Sequence, residues 1–552
     1  MVWGTGGWMH PEDREALDWV TLARLLGWGV SVVPADADLG RRRDTESLRW
    51  VVVACAPELL GQEQVRWLKS YLDTRPGMVL MRFPTGSCPA DSLTGAIVQG
   101  EPLRGRTVEG IPPAGGSVSR SDSWLEARRL PVDDATSAWA TLEGHPVVTM
   151  RAVGIGKLAL LGFHPGAWAD ASPATRTLLR DLLVWGVEGP VVWCDLSGVM
   201  ALRMDDPGGA QNLYNEQWTY PKLDPADWAR IGREMAARGG RLSIGYVAAW
   251  VDDGDASRGG LEVAGERVAR IAGATYPSPS VCYTDASGRL IDYGAEFQGL
   301  NRLCADGYAS VEVHGFTHMH PDLTAWAEAD DRYSNIGWFR ELGAPLASLR
   351  GRPSAAVHPV RRGVEAIRRS FGPPTTLICP GDEWTEEALA VALEAGLSMV
   401  SSYHLAIREG DRFLWATHVR APYLDAVDAS EVEGCFPVVG YFHDREPSVY
   451  GPGWFPSHLE AWAEAGVTRF TDLAELARHS QVHLTCRRSD GRLEVTLARR
   501  DGEPPGPIRL GVKDGARLPS SLVARTSGGW TEAELEPTGP GTARALVAPS
   551  PA

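Results

Sequence analysis

Three strand-like runs, each ending in side chains able to bind an ion or move a proton, constrain this chain more than any other feature. Residues 199–204 lead into Asp205-Asp206-Pro207-Gly208, residues 310–313 into His314-Gly315-Phe316-Thr317-His318, and residues 438–442 into His443-Asp444. Side chains alternate along a strand, so two adjacent carboxylates at a strand end point in different directions, and one can hold an ion while the other stays free. The spacing of His314 and His318 predicts two imidazoles on one face of a helical turn, close enough to share that ion. One Asp and two His around a divalent cation, with a spare Asp and a spare His nearby, suit metal-assisted hydrolysis of an amide or ester.

A chain of 552 residues exceeds what one core usually supports, so several domains are expected. Residues 1–190 alternate strand-like runs (28–33, 50–54, 78–83) with helical spacing (61–72, 175–185), which predicts a parallel α/β sheet with helices on both faces. Residues 191–478 contain all three motifs. Their candidate strands are 199–204, 242–248, 310–313, 375–379, 398–401 and 438–442, separated by helices near 225–238, 296–305, 386–395 and 456–465. Ligands at the C-terminal ends of successive strands are where a β/α barrel places its site. A Gly-, Asp- and Ser-rich insertion spans 256–293. From 479 to 552 apolar and polar residues alternate between Gly and Pro turns, predicting a small β-sheet domain with a frayed tail after Pro537.

The formal net charge of -16 excludes nucleic acid and anionic membrane surfaces as natural partners, because phosphate binding needs clustered positive charge. No apolar run approaches the roughly 18 residues needed to cross a bilayer. The segment Met1-Val2-Trp3-Gly4 onward shows neither a basic start nor an apolar stretch, so the expected location is cytoplasmic, or outside the cell if a leader has been removed. Eight scattered cysteines without a Cys-x-x-Cys pair indicate reduced thiols. The 21 tryptophans add weight to a carbohydrate ligand, since indole faces stack on sugar rings.

On these motifs residues 199–475 resemble the polysaccharide-deacetylase family of nodulation-factor-deacetylase type, whose fold is a distorted β/α barrel. The resemblance implies Asp205 as the base, Asp206, His314 and His318 as ligands of a divalent ion (Zn²⁺ first, Co²⁺ or Ni²⁺ as alternatives), and His443 as the acid. Asp444 would orient His443 or point away. Members commonly carry an arginine before the Pro-rich turn that holds the base; the stretch Leu377-Ile378-Cys379-Pro380-Gly381-Asp382-Glu383-Trp384 has none. Arg420 is the candidate replacement from another loop, and Trp384 a candidate sugar-stacking residue at the rim. His320 breaks the spacing and is expected outside the ion's ligands.

Residues 1–190 resemble the flavodoxin-like, glutamine-amidotransferase-like domains appended to carbohydrate-active enzymes, through 144–163 and the helix after it. The nucleophile turn of that class is broken here, because Pro84-Thr85-Gly86-Ser87-Cys88-Pro89 lacks the second glycine, so a domain without chemistry of its own is expected, with homo-oligomerisation as a further role. The implied reaction is removal of an N-acetyl group from an amino sugar in a polymer, oligosaccharide or glycosylated metabolite. Another amide or imide hydrolase of deformylase type, and a catalytically silent carbohydrate-binding protein, are the alternatives.

Overall fold

The computed structural model describes residues 2–4, 14–34, 48–94, 101–110, 118–172, 174–343, 357–416, 419–432, 434–489, 492–500, 502, 506–514, 518–519, 521–526 and 529–548. Most of residues 1–13, on which the reading of a missing leader rests, lie outside these. Among the described residues no helix is long and apolar enough to cross a membrane.

The N-terminal sheet has nine strands. Five are parallel, in the order Val32–Pro34, Val2–Gly4, Trp50–Val53, Met78–Arg82, Gly156–Leu161. Numbered along the chain this is 2-1-3-4-5, the doubly wound order of flavodoxin type. Four antiparallel strands, His145–Val153, Thr136–Leu142, Pro102–Gly110 and Val118–Arg128, extend the sheet beyond Gly156–Leu161. The parallel sheet expected from the alternation is therefore five strands of a mixed nine-stranded one. The closing hairpin read from 144–163 is present.

The middle segment is built on a second nine-stranded sheet. Six parallel strands, Met399–Ser401, Thr376–Ile378, Ala309–Val313, Leu242–Tyr246, Val199–Asp205 and Val438–His443, lie in that order, and Arg469–Thr471 also pairs with Val199–Asp205. All six expected strands form. The hairpin Leu405–Glu409 and Arg412–Ala416 continues the sheet antiparallel at one edge, and Arg420 and Tyr423 bridge to Val438–His443 at the other. Among the described residues the pairing does not close into a ring, so the barrel expectation gives way to an open sheet widened by that hairpin. Helices between the strands start where the sequence signals them. Pro225–Ala237 follows Asp224, whose side chain accepts the Ala226 and Asp227 amides while the Asp227 side chain accepts the Asp224 amide.

The 256–293 insertion forms an antiparallel four-stranded sheet, Glu266–Val268, Gly259–Val263, Val281–Asp285 and Leu290–Asp292, packed through Leu261, Val281 and Tyr283 on Tyr214, Trp250 and Trp326. The C-terminal region is a sandwich of two four-stranded sheets sharing one core of Leu493, Val495, Leu510, Val512, Leu522 and Ala545. Strand Val191–Cys194 belongs to that sandwich, paired antiparallel with Ile508–Lys513. Glu536–Gly539 and Thr542–Val547 are also strands, so the chain is ordered well past Pro537 and the frayed-tail expectation fails. Residues 549–552 lie outside the described set. The N-terminal and middle regions share one buried cluster, which joins Leu17, Leu22 and Trp168 to Leu405, Ile407 and Leu473, while Val192 and Cys194 lie in the core of the C-terminal sandwich.

Candidate metal centre

Strand Val199–Asp205 is buried along its whole length, yet contains Arg203 among apolar neighbours. Arg203 and Asp205 are two apart and share a face. The Arg203 Nε donates to both Asp205 oxygens at 3.0 Å, and a terminal nitrogen also binds Oδ2, a fork-to-fork pair between two fully buried charges. The guanidinium also reaches Asp382 at 3.2 Å and the Ser401 hydroxyl at 3.3 Å, and lies 5.0 Å over the Tyr441 ring. Burial alone would raise the Asp205 carboxyl, but the Arg203 charge and hydrogen bonds together with His314 and His443 outweigh it and hold Asp205 below the usual carboxylate range. Gly245 on the adjacent strand makes room: a Cβ there would stand 3.0 Å from Asp205 Oδ1 and 3.3 Å from the His314 ring.

Asp206 turns away from the strand at φ +83, a left-handed conformation uncommon outside glycine. Its Oδ1 lies 3.3 Å from His314 Nε2 and 3.5 Å from His318 Nε2. One donor atom from each of Asp206, His314 and His318 falls within 4.8 Å of the others, all three residues being buried. His314 Nδ1 sits 3.1 Å from the Ile378 carbonyl, which can only accept, so Nδ1 carries the hydrogen. Nε2 then faces Asp206 Oδ1 at 3.3 Å, where it donates when the ring is protonated and offers a lone pair when it is neutral. With the ring neutral, this oxygen–nitrogen–nitrogen set can hold a divalent cation. Burial disfavours charge on His314, but Asp205 and Asp206 outweigh it and raise its affinity for a proton. His318 is pushed the other way, to about 4, by burial and then by His314, and is neutral at pH 7 as a ligand must be.

The two histidines do not share a helical turn. His314 follows the end of Ala309–Val313, and residues 315–318 form an irregular loop with Gly315 at φ +69 and His318 at φ +60. Glu341, buried and 23 or more residues away, shapes it. Its carboxylate accepts the amides of Phe316 (2.7 Å), Thr317 (2.9 Å) and His318 (3.1 Å) and the Thr317 hydroxyl (2.7 Å). A Cβ on Gly315 would stand 2.0 Å from Glu341 Oε2, so the close approach requires glycine.

Residues 218–222 wrap the other side of Asp206. Trp218 Nε1 donates to Oδ2 at 3.2 Å, the Tyr220 hydroxyl lies 3.4 Å from it, and the buried Lys222 ammonium donates to the Asp206 carbonyl at 3.0 Å. Asp444 anchors this segment, accepting from Tyr220 at 2.6 Å and Lys222 at 2.8 Å. Glu296 accepts the Gly208 amide at 2.8 Å.

His443 ends its strand directly opposite Asp205 in register. Glu446 takes the His443 amide at 2.6 Å and stands 3.4 Å from Nδ1. Burial works to lower the ring, but Glu446 and then Asp206 carry it to about 9, so His443 is protonated at neutral pH. Trp218 meets the ring edge-on at 4.9 Å and Tyr423 lies at 6.2 Å on another side.

Five of the eight residues singled out in the sequence, Asp205, Asp206, His314, His318 and His443, come together. Arg420 does not: it pairs with Glu431 at 3.1 Å, and the cation beside Asp205 is Arg203. Asp444 holds Tyr220 and Lys222 and leaves His443 to Glu446. Trp384 packs half-buried against Trp415 at 4.8 Å. His320 accepts the Asp322 amide and meets Trp338 edge-on. In the loop after strand Met78–Arg82 the Cys88 thiol is raised by burial and by the Asp91 and Glu58 carboxylates, the reverse of what activates a nucleophile. Of the residues the sequence reading missed, Arg203 carried a signal, a lone charge two positions before Asp205 in an apolar strand. Glu341, Glu446 and Lys222 carried none.

No family model and no curated protein sequence matches the chain. Among solved structures, the Agd3 carbohydrate deacetylase superposes with a TM-score of 0.42 at 10% identity, covering 99% of this chain and 98% of that one. A candidate polysaccharide deacetylase from Mycobacterium smegmatis gives a TM-score of 0.32 at 12% identity, over 55% of this chain and 98% of that one. A CE4-family pseudoenzyme from Bacillus anthracis gives 0.26 at 8% identity, over 51% and 66%. Likeness of this degree decides nothing about chemistry, which rests on the side chains described above.

Proposed function

We propose that this chain is a metal-dependent hydrolase that removes an N-acetyl group from an amino sugar. The convergence of Asp206, His314 and His318 donor atoms within 4.8 Å, with an ionised Asp205 and a protonated His443 at facing strand ends, carries the reading. A divalent ion held by those three residues, Zn²⁺ in first place, would supply an acidified water and polarise the acyl oxygen. Asp205, fixed by Arg203 in its ionised form, accepts the proton of the attacking water. His443, kept protonated by Glu446, gives a proton to the departing amine, which leaves poorly unless neutralised. Trp218 and Tyr423 beside His443 offer ring faces suited to a pyranose.

Elemental analysis of the purified protein tests the first step: about one divalent ion per chain is expected, lost in His314→Ala/His318→Ala. Acetate release from N-acetylhexosamine oligosaccharides tests the second. Asp205→Asn should keep the ion and lose turnover. Retention of full activity by that variant would remove Asp205 as the base, and a metal-loaded protein that releases no acetate would redirect the reading to another amide.

A further inference from the structure

Where the N-terminal region, strand Val191–Cys194 and the C-terminal sandwich meet, a cavity of about 530 Å³ opens, sharing no residue with the metal centre. We infer that this cavity is a second ligand site, for a small ring compound bearing an anionic group. Its size is that of a mono- or disaccharide-scale pocket.

Two features define the ligand. The first is an aromatic wall. Trp28 and Trp50 stack with centroids 4.6 Å apart and planes 23° from parallel. Both indole N–H groups are already spent on carbonyls, Trp28 on Val192 at 2.8 Å and Trp50 on Leu183 at 2.7 Å, so the rings are fixed and offer only their faces. Trp50 is half-buried and lines the cavity, which suits stacking of a flat or pyranose ring.

The second is charge. In a chain of net charge -16, no Asp or Glu among the described residues lines this cavity, while Arg49, Arg500 and His483 do. Arg500 is neutralised by Glu409 at 2.6 Å. Arg49 donates to the Pro190 carbonyl at 2.5 Å, and among the described residues no carboxylate pairs with it. Near it the Lys513 ammonium donates to the Val187 and Gly189 carbonyls, with Lys157 and Arg49 as well as Asp514 and Glu188 in its surroundings. The buried His483 Nδ1 has no hydrogen-bond partner, and Thr485 adds a hydroxyl. An anion on Arg49 with a ring against Trp50 satisfies both features.

Tryptophan fluorescence and calorimetric titration of the full-length protein with glucuronate, glucose 6-phosphate, glucose and inorganic phosphate test this. Saturable quenching by glucuronate or glucose 6-phosphate is expected, with glucose and inorganic phosphate each about tenfold weaker or worse. The tighter of the two sugar anions identifies carboxylate or phosphate as the recognised group. Arg49→Gln should weaken that binding about tenfold. Thr485→Glu, at an exposed position that places a carboxylate in the cavity, should abolish it while leaving the folded spectrum unchanged. Absence of saturable binding by either sugar anion overturns the inference, as does binding unchanged in both variants, or inorganic phosphate binding as tightly as the sugar phosphate.

Discussion

Arg203 illustrates how much one buried side chain can decide. A buried carboxylate without compensation is expensive, and here the compensation comes from the same strand, two residues upstream. Arg203→Met should therefore cost about 3–5 kcal/mol of stability, read by denaturant unfolding. The milder Arg203→Lys loses the fork and should lower kcat/KM about 10–100-fold, with Arg420→Ala staying within about twofold. Equal damage from Arg203→Lys and Arg420→Ala would mean that Arg203 has no special part in holding Asp205. His443 yields a pH prediction. Its folded proton affinity, at about 9, exceeds the unfolded value of 6.5, so its contribution to stability in the ion-free protein is complete below 6.5 and is lost as pH rises through 9. Protonation is also the form an acid needs. Glu446→Gln removes the main opposing pull to burial, so the alkaline limb of the kcat profile should move down by roughly one unit. An unmoved limb would detach the acid role from His443.

The loop between His314 and His318 shows the same dependence one level up. Four-residue spacing is equally compatible with a helical turn, and nothing local rejects it except Gly315. The left-handed backbone at Gly315 and His318 persists because Glu341 satisfies three amides and a hydroxyl at once. Glu341→Gln keeps the volume but turns one acceptor into a donor facing other donors. Metal affinity, measured by competition with a chelator, should fall about 10–100-fold, with the far-ultraviolet circular dichroism unchanged. Unaltered affinity would show that the loop holds its shape without Glu341. By contrast, the six strands of the central sheet and the helix after Asp224 were legible, because apolar runs and an Asp-Pro start are local signals.

At the scale of the whole molecule the chain is bound together by contacts that cross its apparent boundaries. Val191–Cys194 completes the C-terminal sandwich, Arg24 and Arg500 both grip Glu409, and the N-terminal helix Arg14–Leu25 shares a core with the hairpin 405–416. Removal of residues 481–552 would strip the partner from Val191–Cys194 and expose an apolar edge. The shortened chain should aggregate or migrate as a mixture on size exclusion; a stable monomer would show the first 480 residues to be self-sufficient. The sequence by itself determined the strand ends that carry Asp205, Asp206, His314, His318 and His443, because side-chain type and two-residue alternation are written locally. The tertiary structure decided that Arg420 turns to Glu431 and Asp444 to Tyr220 and Lys222, and that Glu341 shapes the histidine loop. It also left the sheet open among the described residues and placed Thr542–Val547 in a strand. These choices depend on distances between segments up to hundreds of residues apart, and electrostatic pairing in a buried site is set by those distances and by desolvation, neither of which has a local signature.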